Sequence, residues 1–346
     1  MPGHELAFPR DEGSHPDFRI EWWYVTGQLD DGASKVKAPL GFQVTFFRVR
    51  TGLAVDNPSS FAPRQVLFAH AAVADPVSGK LHHAQRSART GFDLAYAREG
   101  QLDVKLDDWS IRQVAPGRYV TAVHGEDFDF DLTLVSTQPP LLQGGRGYSR
   151  KGPDPRAASY YYSLPQLAVS GEVTVGSSTR KVSGQAWFDH EWSSDYVDED
   201  ALGWDWLGVN MADGGALMAF RMRDRQGGSR WASATLRSPS PAGLGGAKIS
   251  GAGKVTAFGP EAVHWTPLQS WRSPRTGVTY PVQWRVQVGD RRYRVEPLLL
   301  DAELDSRPTT GILYWEGPIR LVDESTGQEA GRGYLELTGY GGKVDL

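Results

Sequence analysis

The sequence predicts an all-β protein of two consecutive antiparallel domains, and three observations lead to this prediction. The 346 residues exceed what one hydrophobic core usually holds. Short runs rich in Val, Phe, Tyr, Trp and Thr recur about every 8–12 residues, with turn residues between them. No long amphipathic helix is evident between these runs. Such spacing is typical of β-barrels and sandwiches and does not fit alternating strands and helices.

The order of these runs also predicts the domain boundaries. Residues 1–17 are polar and rich in Gly, Pro and His, which indicates an arm before the first strand. Strong strand patterns follow at residues 18–29 and 40–49, and an acidic stretch at residues 195–200 interrupts the series. We therefore predict an N-terminal arm (1–17), an N-terminal β-domain (18–197) and a C-terminal β-domain (198–346).

Composition and charge restrict the partners of the protein. A formal net charge of -4 gives no electrostatic reason to expect a nucleic-acid partner. No apolar run approaches the roughly 18 residues of a membrane-spanning helix, and residues 1–6 lack the pattern of a signal peptide. The chain has no cysteine, so disulfides and thiolate metal sites are excluded. We expect no cofactor, and a hydrophobic small molecule as the partner.

The most informative motif is the run Trp-Phe-Asp-His-Glu-Trp at residues 187–192. In a strand, Asp189 and Glu191 would lie on one face and His190 and Trp192 on the other. Such a strand either lines a cavity or buries charges that must be paired. Because neighbouring side chains point in opposite directions, the two acids and the histidine cannot chelate one ion together. No His-Glu-x-x-His motif occurs either, and we predict no metal site.

Acid–base chemistry beside aromatic rings is what these residue types support. A carboxyl group among indoles is desolvated, which raises its pKa and lets it hold a proton at neutral pH. Trp and Tyr rings also stabilise positive charge, and the chain has 12 tryptophans. Alternatively, the same carboxylates form salt bridges with arginines such as Arg19, Arg150 or Arg221. The residues alone leave both possibilities open. The candidate acids are Asp189, Glu191, Asp205 and Glu21.

Polar side chains within apolar strands indicate a partly wet interior that binds a ligand. His70 lies at the centre of an apolar run, where a core histidine hydrogen-bonded to the backbone is the alternative. Residues 144–152 form a glycine-rich basic loop without the phosphate-binding motif, so we expect this loop to rim a pocket. The predicted ligand-binding residues are Glu21, Trp23, Gln43, His70, Arg150, Tyr161, Trp204 and Trp206.

Nine motifs in order resemble those of the AttH-like proteins, a family of lipocalin-like proteins that are predicted to be secreted. They lie at residues 18–24, 41–48, 69–72, 149–152, 160–163, 186–193, 203–206, 314–317 and 333–340. The family is similar to carotenoid 1,2-hydratases (hydroxyneurosporene synthases) and, more distantly, to fungal proteins that include kievitone hydratase and Diels–Alder cyclases. The resemblance implies two calycin-like β-domains, a ligand site in or between them, and a periplasmic or secreted location.

The carotenoid hydratases use a His-x-Trp pair, which corresponds by resemblance to His190 and Trp192. Their later Tyr-x-Asp pair has no clear counterpart, since Trp204-Asp205 matches it only loosely.

We therefore expect a hydratase or isomerase that acts on an alkene in an isoprenoid-like molecule. Asp189 or Asp205 would donate the proton and His190 would orient water. The cation would face Trp192, Trp204 and Trp23. The alternatives are a non-catalytic, lipocalin-like protein that binds a lipid or hydrophobic metabolite, and a pericyclase.

Overall fold

The chain forms two antiparallel β-sheets in a computed structural model that describes residues 3–32, 38–53, 56–59, 61–196, 200–240 and 253–344. The N-terminal sheet has 13 strands within these residues and curls into a nearly closed barrel. Its strands are β1 (Ile20–Asp30), β2 (Leu40–Arg50), β3 (Gln65–Asp75), β4 (Lys80–Arg89), β5 (Ala95–Ala97), β6 (Asp103–Leu106), β7 (Trp109–Ala115), β8 (Arg118–His124), β9 (Phe128–Val135), β10 (Leu141–Leu142), β11 (Tyr148–Arg150), β12 (Ala158–Val175) and β13 (Ser178–Ser193).

The C-terminal sheet has 10 strands among the described residues and forms a half-barrel. Its strands are β14 (Ala201–Met211), β15 (Ala216–Asp224), β16 (Ser229–Arg237), β17 (Val255–Phe258), β18 (Val263–Arg272), β19 (Thr279–Val288), β20 (Arg291–Pro297), β21 (Glu303–Asp305), β22 (Leu313–Asp323) and β23 (Glu329–Thr338). The helices of the described residues are short 3-10 turns, and none could span a membrane. The predicted all-β, lipocalin-like class is confirmed.

Strand alternation gives the central strands of the first sheet two different faces. On β1, Trp23 and Val25 pack into the barrel core, whereas Trp22 and Tyr24 face the second sheet. β13 pairs with the whole length of β1, and its side chains likewise alternate between the barrel core and the second sheet. The junction between the sheets is therefore built from alternate residues of strands whose other residues form the barrel core.

Residues 11–14 of the N-terminal arm are buried against the barrel, whereas most of residues 3–10 are exposed. Asp11 and Glu12 are buried, and the Glu12 carboxylate accepts a hydrogen bond from the Tyr119 hydroxyl at 2.9 Å. The Trp23 indole N–H donates to the backbone oxygen of Glu12 at 3.3 Å. A polar arm is buried here because core side chains and the barrel wall supply its hydrogen-bond partners.

Two strands differ from the sequence-based expectation. Strand β4 follows β3 at a sheet edge and has no fully buried residue. Its sequence is therefore mostly polar, and the strand was not predicted. Strand β12 is continuous over 18 residues although Pro165 interrupts its pattern, because a bulge between Leu164 and Leu167 accommodates the proline. Of the acidic stretch expected at the domain boundary, residues 197–199 lie outside the described residues. The first sheet ends at Ser193 and the second begins at Ala201.

Candidate active site between the sheets

A cavity of about 280 Å³ lies between the two sheets. Strands β1, β2, β3 and β13 form one wall, and β14, β15, β22 and β23 form most of the other. Much of its surface is apolar, and its large side chains include Trp22, Phe47, Phe68, Trp204, Trp206 and Phe220. Apolar walls with a few convergent polar groups are typical of small-molecule sites.

Asp189 is the most hydrogen-bonded acid of the cavity. Its carboxylate accepts hydrogen bonds from the Ser163 hydroxyl at 2.5 Å, the Trp187 indole N–H at 2.7 Å and the Tyr161 hydroxyl at 2.7 Å. Burial raises its pKa to about 7, although these three donors oppose the shift. A carboxylate offers about four lone-pair positions, so Asp189 retains one for a ligand or water.

Glu316 and Glu336 form a second acidic group on the opposite wall. They are directly paired across β22 and β23, and both line the cavity. The Tyr24 hydroxyl donates to Glu316 at 2.5 Å, and the Trp204 side chain hydrogen-bonds to Glu336. Burial raises the pKa of Glu336 to about 8, and burial together with the Glu336 charge raises that of Glu316 well above its ordinary value. Glu316 is buried and Glu336 is half-buried, and two carboxyls so placed retain a proton at neutral pH.

Lys151 and Glu191 form an enclosed ion pair beside Asp189. The Lys151 ammonium lies 2.5 Å from the Glu191 carboxylate and 4.4 Å from the ring centre of Phe220. Burial lowers the pKa of Lys151 and raises that of Glu191, because both charged forms are desolvated. Lys151 belongs to the basic stretch that was expected to be a loop; residues 148–150 of this stretch form β11, and Lys151 lines the cavity.

The hydrogen-bond network assigns a neutral, Nε2-protonated tautomer to His70. The Gln85 amide nitrogen donates to the Asp305 backbone oxygen, so its amide oxygen accepts from the Thr309 hydroxyl. Thr309 then accepts from His70 Nε2 at 2.9 Å, and His70 Nδ1 accepts from the Tyr314 hydroxyl at 2.9 Å. Burial lowers the pKa of His70 to about 3, which keeps the ring neutral.

His190 and Trp192, predicted to be catalytic, lie on the barrel side of β13 and do not line the cavity. His190 is fully buried, and its Nε2 lies 2.9 Å from the Glu21 carboxylate. Glu21 and Trp23 lie on the same barrel side. Alternation along β1 and β13 therefore separates these four residues from Asp189 and Glu191.

Glu21 is the centre of a buried cluster that fastens the arm to the barrel. His15 Nδ1 lies 2.8 Å from its carboxylate, and Arg48 Nε donates to it at 2.8 Å. His15, Glu21 and His190 are metal-ligand types whose ligand atoms lie within 4.8 Å of one another. Because the Arg48 guanidinium already neutralises the Glu21 charge, we assign no metal to this cluster.

Asp205 and Arg150 also lie outside the cavity lining. Asp205 accepts from Arg221 Nε at 2.6 Å and from the Tyr340 hydroxyl at 3.0 Å, and it pairs with Arg223 at 3.2 Å. Of the two possibilities left open by the sequence, proton transfer or a salt bridge with arginine, Asp205 therefore has the salt bridge. The Arg150 guanidinium stacks 4.4 Å from the Trp231 ring centre.

The remaining predicted ligand-binding residues lie at or beside the cavity. His70, Trp204 and Trp206 line it, and the Tyr161 hydroxyl joins Trp206 to Asp189. Gln43 is buried, and its amide oxygen accepts a hydrogen bond from the Thr45 hydroxyl at 3.4 Å. Whether these residues bind a ligand remains a prediction.

Four groups of the site were not proposed from the sequence. For three of them the signal was a charged or hydroxyl group inside an apolar run, as in Tyr-Trp-Glu-Gly at residues 314–317 and Tyr-Leu-Glu-Leu at residues 334–337. Both runs were noted as family motifs without a role for their acids. Lys151 lies in a glycine-rich polar stretch and had no such signal. The groups are Lys151, Tyr314, Glu316 and Glu336.

Comparison with known proteins adds four findings. A family model described as AttH-like matches residues 1–340. The crystal structure of a Nitrosomonas europaea protein assigned to AttH has a TM-score of 0.87 and 49% identity, with 98% of each chain covered. Kievitone hydratase from Nectria haematococca has a TM-score of 0.68 at 16% identity, covering 96% of this chain and 93% of that one. This second likeness concerns the fold.

Dehydratase asqC from Emericella nidulans is 25% identical over 167 residues. The match covers 46% of this chain and 42% of the dehydratase, so it spans less than half of either protein. The family assignment therefore depends on the model that matches nearly the whole chain and on the bacterial relative. This chain belongs to the AttH-like family.

Proposed function

We propose that the protein adds water to, or eliminates it from, a hydrophobic small molecule held in the cavity between the sheets. One observation carries the proposal. Carboxyl groups with pKa values raised to neutrality or above face an apolar cavity from both of its walls. Raised pKa values of this kind are what a general acid and a general base need near neutral pH.

The Glu316–Glu336 pair supplies the general acid. Because the two carboxyls face each other on adjacent strands, at least one holds a proton at neutral pH. In hydration this proton goes to one carbon of an alkene. In dehydration, the reverse reaction, the ionised pair takes this proton back from the same carbon. Trp22, Trp204 and Trp206 line the cavity and stabilise the positive charge that develops at the other carbon.

Asp189 supplies the general base on the facing wall. Its three hydrogen-bond donors fix the carboxylate, and its remaining lone pair accepts a proton from the attacking water. In the reverse direction the protonated Asp189 gives that proton to the hydroxyl group that leaves as water. If the cation instead loses a proton from another carbon, the same pair of groups isomerises the alkene.

The cavity volume restricts the substrate. About 280 Å³ is at the lower end of the range for small-molecule pockets, which favours a compact molecule over a long carotenoid. The apolar walls favour an isoprenoid-like or polyketide-like skeleton. The named relatives support the reaction class, since a hydratase and a dehydratase catalyse opposite directions of water addition.

The test is mass spectrometry of small molecules in isotope-labelled water. Hydrophobic molecules extracted from the purified protein, and a panel of candidate alkenes, are incubated with wild type and with Asp189→Asn. The proposal predicts uptake of the label with wild type and loss of uptake in the variant. A Glu329→Gln variant, changed at an exposed acid on β23, is the control that retains activity. Tight binding without any chemical change would instead identify a lipocalin-like binding protein.

A further inference from the structure

We propose that the protein docks on anionic lipid bilayers through an apolar tip at one end of the N-terminal sheet. The apolar tip consists of Leu53 and Phe61, between β2 and β3, and Phe92 and Leu94, between β4 and β5. This surface is separate from the proposed active site, and the proposal does not depend on the reaction.

Large apolar side chains of the tip are exposed together. Phe61 and Phe92 are each 61% exposed, and their ring centres lie 5.0 Å apart. Leu53 is 64% exposed and Leu94 is 47% exposed on the same two connections. Single exposed apolar residues are common, but a cluster that includes two aromatic rings in contact indicates a binding surface.

The backbone holds Phe92 at the tip in a conformation that bulky residues seldom adopt. Phe92 has φ 58° and Asp93 has φ 55°, and Leu94 N donates to Gly91 O at 3.1 Å to close the turn. Glycine or asparagine usually occupies such left-handed positions. The exposed ring forms no part of the hydrophobic core clusters, so the fold gives no packing reason for a phenylalanine here.

Basic side chains surround the apolar tip. Arg89 lies 4.8 Å from the Phe61 ring centre and 5.2 Å from that of Phe92. Three basic side chains donate hydrogen bonds to backbone oxygens of these connections, namely Arg64, Arg89 and Lys105. A backbone oxygen carries no net charge, so these bonds leave the positive charge of each side chain in place. The acids of these connections are Asp56 and Asp93. Asp107, whose backbone N–H donates to Leu94 O, is paired with Arg86. Four cations accompany the two acids of the connections. The cations are Arg50, Arg64, Arg89 and Lys105.

The chemistry of the apolar tip favours a bilayer over another protein. A stable protein interface needs about 800 Å² on each partner, which is more than a few side chains on two connections provide. Aromatic and leucine side chains beside arginine and lysine match the apolar boundary and the anionic headgroups of a membrane surface. The same end of the sheet contributes Ile20 and Val49 to the cavity wall.

The experiment is co-sedimentation of the full chain with phosphatidylglycerol vesicles and with phosphatidylcholine vesicles. We expect binding to phosphatidylglycerol that weakens with added salt, and much weaker binding to phosphatidylcholine. The double variant Phe61→Ser/Phe92→Ser should lower the partition coefficient at least roughly tenfold, because both rings leave the membrane boundary. Arg64→Gln/Lys105→Gln should lower it about fivefold for each charge removed, on phosphatidylglycerol only.

The matched control is Val77→Ser/Val114→Ser, which removes two exposed valines elsewhere on the N-terminal domain. It should bind like wild type. Circular dichroism verifies that every variant is folded. Absence of wild-type binding, or equal binding by the Phe61→Ser/Phe92→Ser variant, would overturn the proposal. A change in oligomeric state of that variant without vesicle binding would assign the apolar tip to a protein contact and also overturn it.

Discussion

At the scale of single residues, the same side-chain type has different roles on the two faces of one strand pair. Glu21 on β1 is saturated by His15, Arg48 and His190 and fastens the arm. Asp189 on β13 accepts three neutral donors and no cation, so burial raises its pKa to about 7. A saturated, ion-paired carboxylate serves structure, whereas a carboxylate with neutral donors and a raised pKa serves proton transfer.

The Glu336→Gln variant tests whether Glu336 is the general acid of the proposed reaction. The amide retains the shape of the side chain but cannot donate a proton to substrate as a carboxylic acid does. If Glu336 is the donor, we expect kcat to fall by about 10²–10⁴-fold while KM changes little. Steady-state kinetics on the substrate identified by mass spectrometry measures both constants. An unchanged kcat would remove Glu336 from the mechanism, and Glu329→Gln on the same strand serves as the control.

The stability of the same variant should depend less on pH. The pKa of Glu336 rises from 4.5 to about 8 on folding, so the folded state keeps a proton that the unfolded chain releases. Its contribution to stability is therefore fully present below pH 4.5 and is lost as pH rises towards about 8. Thermal unfolding across this range should show a smaller decline for Glu336→Gln than for wild type. Parallel curves for the two proteins would contradict the raised pKa.

Which individual residues form the site was only partly predictable from the sequence. Alternation correctly separated Asp189 and Glu191 from His190 and Trp192. It could not tell which face lines a cavity, because both faces of β13 are buried. Glu316 reaches Tyr24 across 292 residues of sequence, and such long-range packing leaves no local signal.

At the scale of elements, the bulge in β12 connects the two sheets. The bulge holds Gln166 at φ 58°, and the backbone N–H of Gln166 donates to the side-chain oxygen of Asn210 at 2.7 Å. Its side-chain amide donates to the backbone oxygens of Met211 at 2.9 Å and Gly215 at 2.7 Å. Gln166 alone therefore makes three hydrogen bonds to the β14–β15 hairpin, with which the second sheet begins. Pro165 lies within the bulge, where a residue that cannot donate a backbone hydrogen bond is tolerated.

Two substitutions at Gln166 should distinguish the cost of its left-handed backbone conformation from the stabilisation by its side-chain hydrogen bonds. Gln166→Ala removes the side-chain amide and should lower the free energy of unfolding by about 2–3 kcal/mol. Gln166→Gly removes the same bonds but relieves the left-handed conformation, and should be less destabilised by about 1 kcal/mol. Urea unfolding measures both values. Greater stability of the alanine variant would show that the bulge is unstrained.

At the scale of the whole molecule, the two sheets share one buried boundary. Trp187 and Tyr24 from the first sheet pack in one cluster with Trp206 and Tyr334 from the second. The Gln28 amide donates to the backbone oxygens of Ile319 and Gly333 across the same boundary, at 2.8 and 3.0 Å. The cavity is part of this boundary, so its geometry depends on both sheets.

This shared boundary predicts one cooperative unfolding transition. Separating the sheets would expose Trp187 and Trp206 and would leave the Gln28 amide without its partners. Far-ultraviolet circular dichroism and tryptophan fluorescence should therefore give coincident urea curves. Two resolved transitions, with the fluorescence change confined to the first, would show that the sheets unfold independently.

The all-β class, the lipocalin-like domains and most strands were predictable because they follow from local patterns and family motifs. Strand β4 was not, since a half-buried edge strand of mostly polar residues has little apolar alternation. The burial of the arm was not predictable either, because Glu12 finds its partner, the Tyr119 hydroxyl, only in the folded barrel.

The pH dependence of kcat/KM tests the central claim most directly, namely that a base on one sheet and an acid on the other act across the cavity. Asp189 must be ionised and Glu336 protonated, with pKa values of about 7 and about 8. For hydration we predict a bell-shaped profile with its maximum between these values, and residual activity of Glu336→Gln should lose the alkaline limb. A profile without either limb, or an alkaline limb that persists in Glu336→Gln, would contradict the claim.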